Sequence, residues 1–273
     1  MFYRTRIILA FTLCTYLSME FVFYIAQQLG SVLLNKNDTA VVASWSLFTW
    51  ALALVSSAFL SKKLFGEPKW MCEWILKFKL SHLLIAFLCG AIAILGSVAI
   101  ASPFGDYQFC DNPSYMYQDF AEKIFHSITP VISEELFERG FLFWVLMFAI
   151  RSKRRAQIAV LVQAIIFSGL HNWHDGPAWS SYYVQLRGVN IFLVGIILNL
   201  LILRTGSIWP GVGFHLASNS AIAILGGGTG IYMLLCRQEG PHILVHSLMC
   251  VGITTVLYRQ IDWPLVEQRF SAS

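Results

Sequence analysis

Charge is scarce in this chain. Lys, Arg, Asp and Glu together make up 12% of 273 residues, against about 25% in soluble domains. Hydrophobic residues make up 57%, more than a water-facing surface could hide, and that excludes an ordinary soluble domain. No basic tract interleaved with aromatics is present, so nothing points to nucleic acid. The six cysteines, at positions 14, 72, 89, 110, 236 and 250, include no Cys-x-x-Cys pair. Neither a zinc finger nor a dithiol redox motif is therefore indicated. His-Glu-x-x-His is absent too, as are internal repeats and low-complexity linkers. The apolar run after Arg4 and Arg6 continues to about Leu34 with no small-x-small cleavage site. It reads as an uncleaved first transmembrane helix, not a signal peptide.

What the chain has is long apolar runs. A transmembrane helix needs about 20 mainly apolar residues. Eight segments qualify: 7–31, 40–61, 80–102, 121–149, 156–173, 187–204, 208–227 and 241–258. The expected fold is all-α, a polytopic helical bundle in the lipid bilayer forming one domain over 1–273. Within it, 1–115 holds N-terminal helices of unassigned role and 120–225 holds the core. The segment 208–227 carries Pro210, Gly211 and Gly213 and is expected to enter as a broken or re-entrant piece, which a membrane tolerates only beside protein or a wet cavity. With the N-terminus inside, 14 of the 19 basic residues fall in inside segments and 3 outside. That asymmetry predicts both termini in the cytoplasm, and it fits a bacterial cytoplasmic membrane as readily as an endoplasmic reticulum membrane.

One segment breaks the apolar pattern. Residues 134–139 read Glu-Glu-Leu-Phe-Glu-Arg between ITPVIS and GFLFWVLMFAI. Each charge costs roughly 2.5–3.5 kcal/mol at the centre of a membrane helix, and such groups are retained mainly where they face a protein interior and carry function. On an ideal helix Glu134 and Glu138 stack at i,i+4, and so do Glu135 and Arg139. Glu135 thus has a cation built in at ion-pair spacing. Glu134 shares its stripe with another carboxylate, which makes it the better proton acceptor of the two and a candidate general base. A helix–helix hydrogen-bond network is the competing account of all four groups.

Two further segments supply matching polar groups. One ends Phe167-Ser168-Gly169-Leu170-His171, and the other contains His215-Leu216-Ala217-Ser218-Asn219. His215 and Asn219 are one turn apart and share a face. A Glu with one His can orient and deprotonate water. The second His and an Asn amide can donate hydrogen bonds to a developing oxyanion. A lone His on an apolar helix is more often a packing residue, but three such pieces on three helices form a stronger pattern.

Glu-Glu-x-x-x-Arg (134, 135, 139), Phe-x-x-x-His (167, 171) and His-x-x-x-Asn (215, 219) resemble, in that order, the three motifs of the CPBP family. This family holds the type II CAAX-prenyl endopeptidases and the bacteriocin-processing, Abi-type membrane proteins. The lead-in from Arg204 to Gly211 is similar to that family's third-motif context, and the likeness covers roughly 120–225. The resemblance implies a helical intramembrane endopeptidase with no cofactor. Glu134 and His171 would activate water, and His215 and Asn219 would form the oxyanion hole. Glu135 and Arg139 would support the site, and Phe167 would pack. It implies a protein or peptide substrate, either a CAAX tail with or without a prenyl group or a leader peptide. Oligomeric state is left open.

Alternatives stand beside this reading. A Glu/His/His set could ligate zinc on composition alone. The same fold could serve without catalysis, as a peptide-immunity factor or partner scaffold. A proton-coupled transporter would predict repeats, and none is found. His174 reads as a loop residue, Glu138 as either a modulator of Glu134 or half of a separate pair, and His82, His126, His242 and His246 as interfacial or packing residues. Cys110 and Cys236 fall in outside loops, where a disulfide is conceivable. Depth is a constraint: Glu134 lies about 20 Å along its helix from Ala121 at 1.5 Å per residue, His171 is near an outer end and His215 near an inner end. The three can meet only if helices tilt or 208–227 re-enters.

Overall fold

The computed structural model describes residues 62, 74–104, 127–128, 130–173, 182–225 and 240–271. The chain divides into two compact units, Met1–Lys69 and Trp70–Ser273. Of the first, only the exposed, helical Lys62 is described. The expected helices 7–31 and 40–61 therefore lie outside the described residues, as do Cys110, Cys236, His126 and His174.

The regular elements described in the second unit are all helices, with no strand among the described residues. Helix α1 spans Leu80–Ala101. A π-helix covers Glu135–Leu142 and runs directly into α2, Phe143–Ala149. Then follow α3, Arg155–Trp173, α4, Tyr182–Thr205, α5, Trp209–Leu225, and α6, Gly240–Gln260. A short α7, Trp263–Ser271, closes the described chain. Five expected segments thus appear as helices with edges moved by a few residues, and α7 is an addition. Among the described residues, three helices are long and apolar enough to cross a membrane: Leu80–Phe104, Gln185–Thr205 and His242–Gln260. Arg155–His171 is a shorter apolar helix.

The helices are apolar on the outside. On α1, Leu84, Leu88, Ile92 and Leu95 are exposed at helical spacing. Leu244, Leu248 and Val251 do the same on α6. Continuous apolar faces of this kind mark contact with lipid. The inward face of α1 carries small residues, Ala86, Gly90, Ala93, Ser97 and Ala101, which allow close helix approach in a membrane. This face lies along α5. A Cβ on Gly90 would stand 2.7 Å from the Phe214 carbonyl oxygen, and one on Gly213 would collide with the Leu83 carbonyl. Gly213 is therefore a contact point and not a break. Helix α5 runs continuously through Pro210, Gly211 and Gly213. Pro210 causes no interruption because it sits in the first turn, where no intrahelical N–H bond is lost.

Residues 74–79 tie the start of α1 to the α4–α5 turn. Lys77 Nζ donates to the Thr205 carbonyl at 2.8 Å. Ser207 Oγ donates to the Lys77 carbonyl at 2.7 Å, and Trp209 Nε1 to that of Ile75 at 2.7 Å. The turn itself closes on Gly206 at φ 63°, the left-handed region that glycine enters without strain.

Candidate active site

The site begins in the π-helix. Its signature is the i→i−5 bond from Phe143 N–H to the Glu138 carbonyl, and such wide turns are found mostly at functional sites. All residues from Glu135 to Leu142 are buried. Glu138 pairs with Arg139, its Oε2 lying 2.9 Å from Arg139 Nη1, and accepts from Gln163 Nε2 at 2.9 Å. The expected i,i+4 pair is present, with Arg139 Nη1 at 3.3 Å from Glu135 Oε1.

Glu134 stands at the mouth of the cluster, with its side chain 23% exposed. Two imidazoles converge on one of its oxygens. His171 Nε2 lies 3.6 Å from Glu134 Oε2, and His215 Nε2 lies 3.7 Å from the same atom. These separations are too long for direct hydrogen bonds and suit an intervening water. His171 is 27% exposed and His215 only 5%, so the space opens on the Glu134–His171 side. The three helices do meet, although the motif residues lie at different distances from their helix ends.

Both rings are fixed from behind. His171 Nδ1 is 2.9 Å from the Phe167 carbonyl oxygen. His215 Nδ1 is 3.0 Å from Glu135 Oε1. Each partner is an acceptor, so each Nδ1 carries the proton, and in the neutral rings each Nε2 turns a lone pair toward Glu134. Three acceptor atoms then face one space, and the two O–H groups of a bridging water could meet two of them at once.

Phe167 does more than fill volume. Its ring lies 3.9 Å under the Arg139 guanidinium carbon, a cation–π distance. It also meets the His171 ring at 4.2 Å between centroids and that of His215 at 5.8 Å, edge to face. Asn219 lies one turn beyond His215, half-buried, with no hydrogen bond to the histidines among the described residues. Gly211 packs on Glu135: a Cβ there would stand 2.7 Å from Glu135 Oε2. Gln163 and Asn199 were not singled out by the motifs. Gln163 nonetheless shares the i,i+4 stripe of Phe167 and His171, and Asn199 is an isolated amide within an apolar helix. His246 is buried and meets Asn190, which also donates to Ser247, in keeping with packing. Among the described residues no three His, Cys, Asp or Glu side chains are arranged to hold a metal ion.

The site is thus a half-buried carboxylate facing two oriented imidazoles within a bundle of apolar helices. Residues 118–221 match the family model described as type II CAAX prenyl endopeptidase Rce1-like. The match spans all seven motif positions and is the family that the three motifs resemble. This stretch is therefore similar to a domain of a membrane protease family. No curated protein and no solved structure matches the chain.

Proposed function

We propose that this protein is an intramembrane endopeptidase that hydrolyses a peptide bond in a membrane-associated protein or peptide, with Glu134 and His171 activating water. The observation that carries the reading is the convergence of His171 Nε2 and His215 Nε2 on Glu134 Oε2 at 3.6 and 3.7 Å, with both Nδ1 atoms committed elsewhere. A water held there gives one proton to Glu134, and its oxygen attacks the scissile carbonyl carbon. The oxyanion that forms accepts hydrogen bonds from His215 Nε2–H and the Asn219 amide. With Nδ1–H committed to Glu135, donation from Nε2 requires the imidazolium form of His215, whose charge Glu135 faces. The C–N bond then breaks, and the leaving amine takes the proton that Glu134 received from the water. The products are a carboxylic acid and an amine. A stabilised oxyanion of this type is worth about 10²–10³ in kcat per donor.

The substrate class is a CAAX-type tail, prenylated or not, or a leader peptide, presented from the bilayer. The bundle has eight spans with both termini in the cytoplasm. The test is proteolysis by the purified, detergent-solubilised chain against a membrane-peptide library, with and without chelator. Cleavage by wild type that survives chelator and is lost in Glu134→Ala and His215→Ala supports the reading. Loss with chelator and recovery with zinc would move the same residues to a metal mechanism. No cleavage by wild type, with peptide binding kept in Glu134→Ala, would favour a binding protein on this fold.

A further inference from the structure

The catalytic geometry is backed by a chain of buried polar groups that the three motifs do not contain. Asn199 Nδ2 donates to Gln163 Oε1 at 2.7 Å and stands 3.3 Å from the Val160 carbonyl oxygen. Gln163 Nε2 donates to Glu138 Oε2 at 2.9 Å. The same Glu138 oxygen accepts from Arg139 Nη1 at 2.9 Å. Arg139 Nη1 reaches Glu135 Oε1 at 3.3 Å, and that oxygen holds His215 Nδ1 at 3.0 Å. Gln163, Asn199, Glu138, Arg139 and Glu135 are all 0% exposed.

The direction of each bond is fixed. Asn199 takes the Gln163 carbonyl, so the Gln163 amide can turn only its NH₂ toward Glu138. Glu138 then faces two donors and holds Arg139 between itself and Glu135. Three elements contribute: α4 through Asn199, α3 through Gln163, and the π-helix through the charged residues. Some atoms of these groups, Arg139 Nε and Nη2, Glu135 Oε2 and Asn199 Oδ1, have no partner among the described residues, but every link of the chain is made, and buried hydrogen bonds in series couple the orientations of the groups they join.

We infer that Gln163 and Asn199 are positioning residues for the reaction, acting through Glu138, Arg139 and Glu135 to set the orientation of the His215 ring. The inference rests on the protease reading for its effect on rate, but its geometric content is independent of it. Two near-isosteric variants remove the hydrogen bonds, Gln163→Met and Asn199→Leu. The probe is full-length chain in lipid bilayers with ¹⁵N-labelled histidine, in which the His215 resonances are those lost in His215→Ala. Thermal unfolding reports on the fold.

In Gln163→Met the His215 nitrogen resonances shift while those of His246 stay in place. The kcat falls by about 10²-fold, the loss that a small misplacement of reacting groups brings, with KM within about twofold of wild type. In a Glu138→Gln background Gln163→Met has little further effect, because the two substitutions cut the same chain. If Gln163→Met fails to fold, Asn199→Leu, one step further from the site, is read in the same way. Folded variants with unmoved His215 resonances overturn the inference, and so does loss of folding in both, since the network would then be structural support alone. If the wild-type chain cleaves nothing, the His215 resonances still decide the positioning role while the protease reading fails.

Discussion

Arg139 is the residue that binds the site together. Its Nη1 reaches both Glu135 and Glu138, and its carbon lies over Phe167. Lysine keeps the charge but loses the planar fork and the stacked face. Arg139→Lys is expected to lower kcat at least tenfold in a steady-state cleavage assay while the chain still inserts and folds. Gly211 gives a finer test. An added methyl would press on Glu135 Oε2 at 2.7 Å, displacing the carboxylate that orients His215. Gly211→Ala should therefore reduce kcat by about 10²-fold with little change in unfolding temperature, and unchanged turnover would show that Glu135 tolerates the shift. At this scale much was legible. Charged and imidazole groups inside apolar runs stand out because burial makes them costly. Gly211 carries no such signal, since its value is the space it leaves. Gln163, which donates to Glu138, was hidden as well, because it sits on another helix, with Asn199 behind it on a third.

The elements divide the labour between carrying the chemistry and holding it. Helix α5 brings His215 and Asn219, and α1, outside the matched residues 118–221, lies along it. The contact is backbone to backbone, at Gly213 against Leu83 and at Gly90 against Phe214. A side chain at either point forces the helices apart, and overpacking of this sort costs typically 1–3 kcal/mol. Gly213→Ala is expected to lower the thermal midpoint in detergent and the activity together. Gly252→Ala, where an added Cβ meets nothing within 4 Å, should change neither. Equal behaviour of the two variants would remove α1 from the account of the site. Part of the region of unassigned role is thereby given one. The sequence pattern showed where these helices run because apolar length is the signal that a bilayer demands. It did not show the π-helix, which differs from an α-helix only by a shift in backbone hydrogen bonding that no residue type dictates. It also marked Pro210, Gly211 and Gly213 as a break, where the fold uses them for a helix start and two close contacts.

At the scale of the molecule, one end gathers the cations. Lys77 is bonded to Thr205, Arg204 Nη1 donates to the Gln260 carbonyl at 3.1 Å, and Arg155 Nε lies 3.4 Å from Glu267 Oε2. Glu267 also accepts from the Ala156 N–H at 2.8 Å, which satisfies an otherwise open donor in the first turn of α3. These contacts join the lead-in to α1, the start of α3, the α4–α5 turn, the end of α6 and α7 at a single face. The basic residues assigned to the inside from charge asymmetry alone, among them Lys77, Arg155, Arg204 and Arg259, lie on this face or beside it. Charge asymmetry reports orientation because translocating Lys and Arg is disfavoured, and on that ground we propose that this face is the cytoplasmic one. A Lys153→Cys variant, at an exposed position in the α2–α3 connection, is expected to react with a membrane-impermeant maleimide in inverted vesicles and to stay unlabelled in intact cells. The chain carrying its own six cysteines alone sets the background for both. Labelling from the cell exterior would reverse the bundle, and the opening beside Glu134 and His171 would then belong to the other side of the membrane.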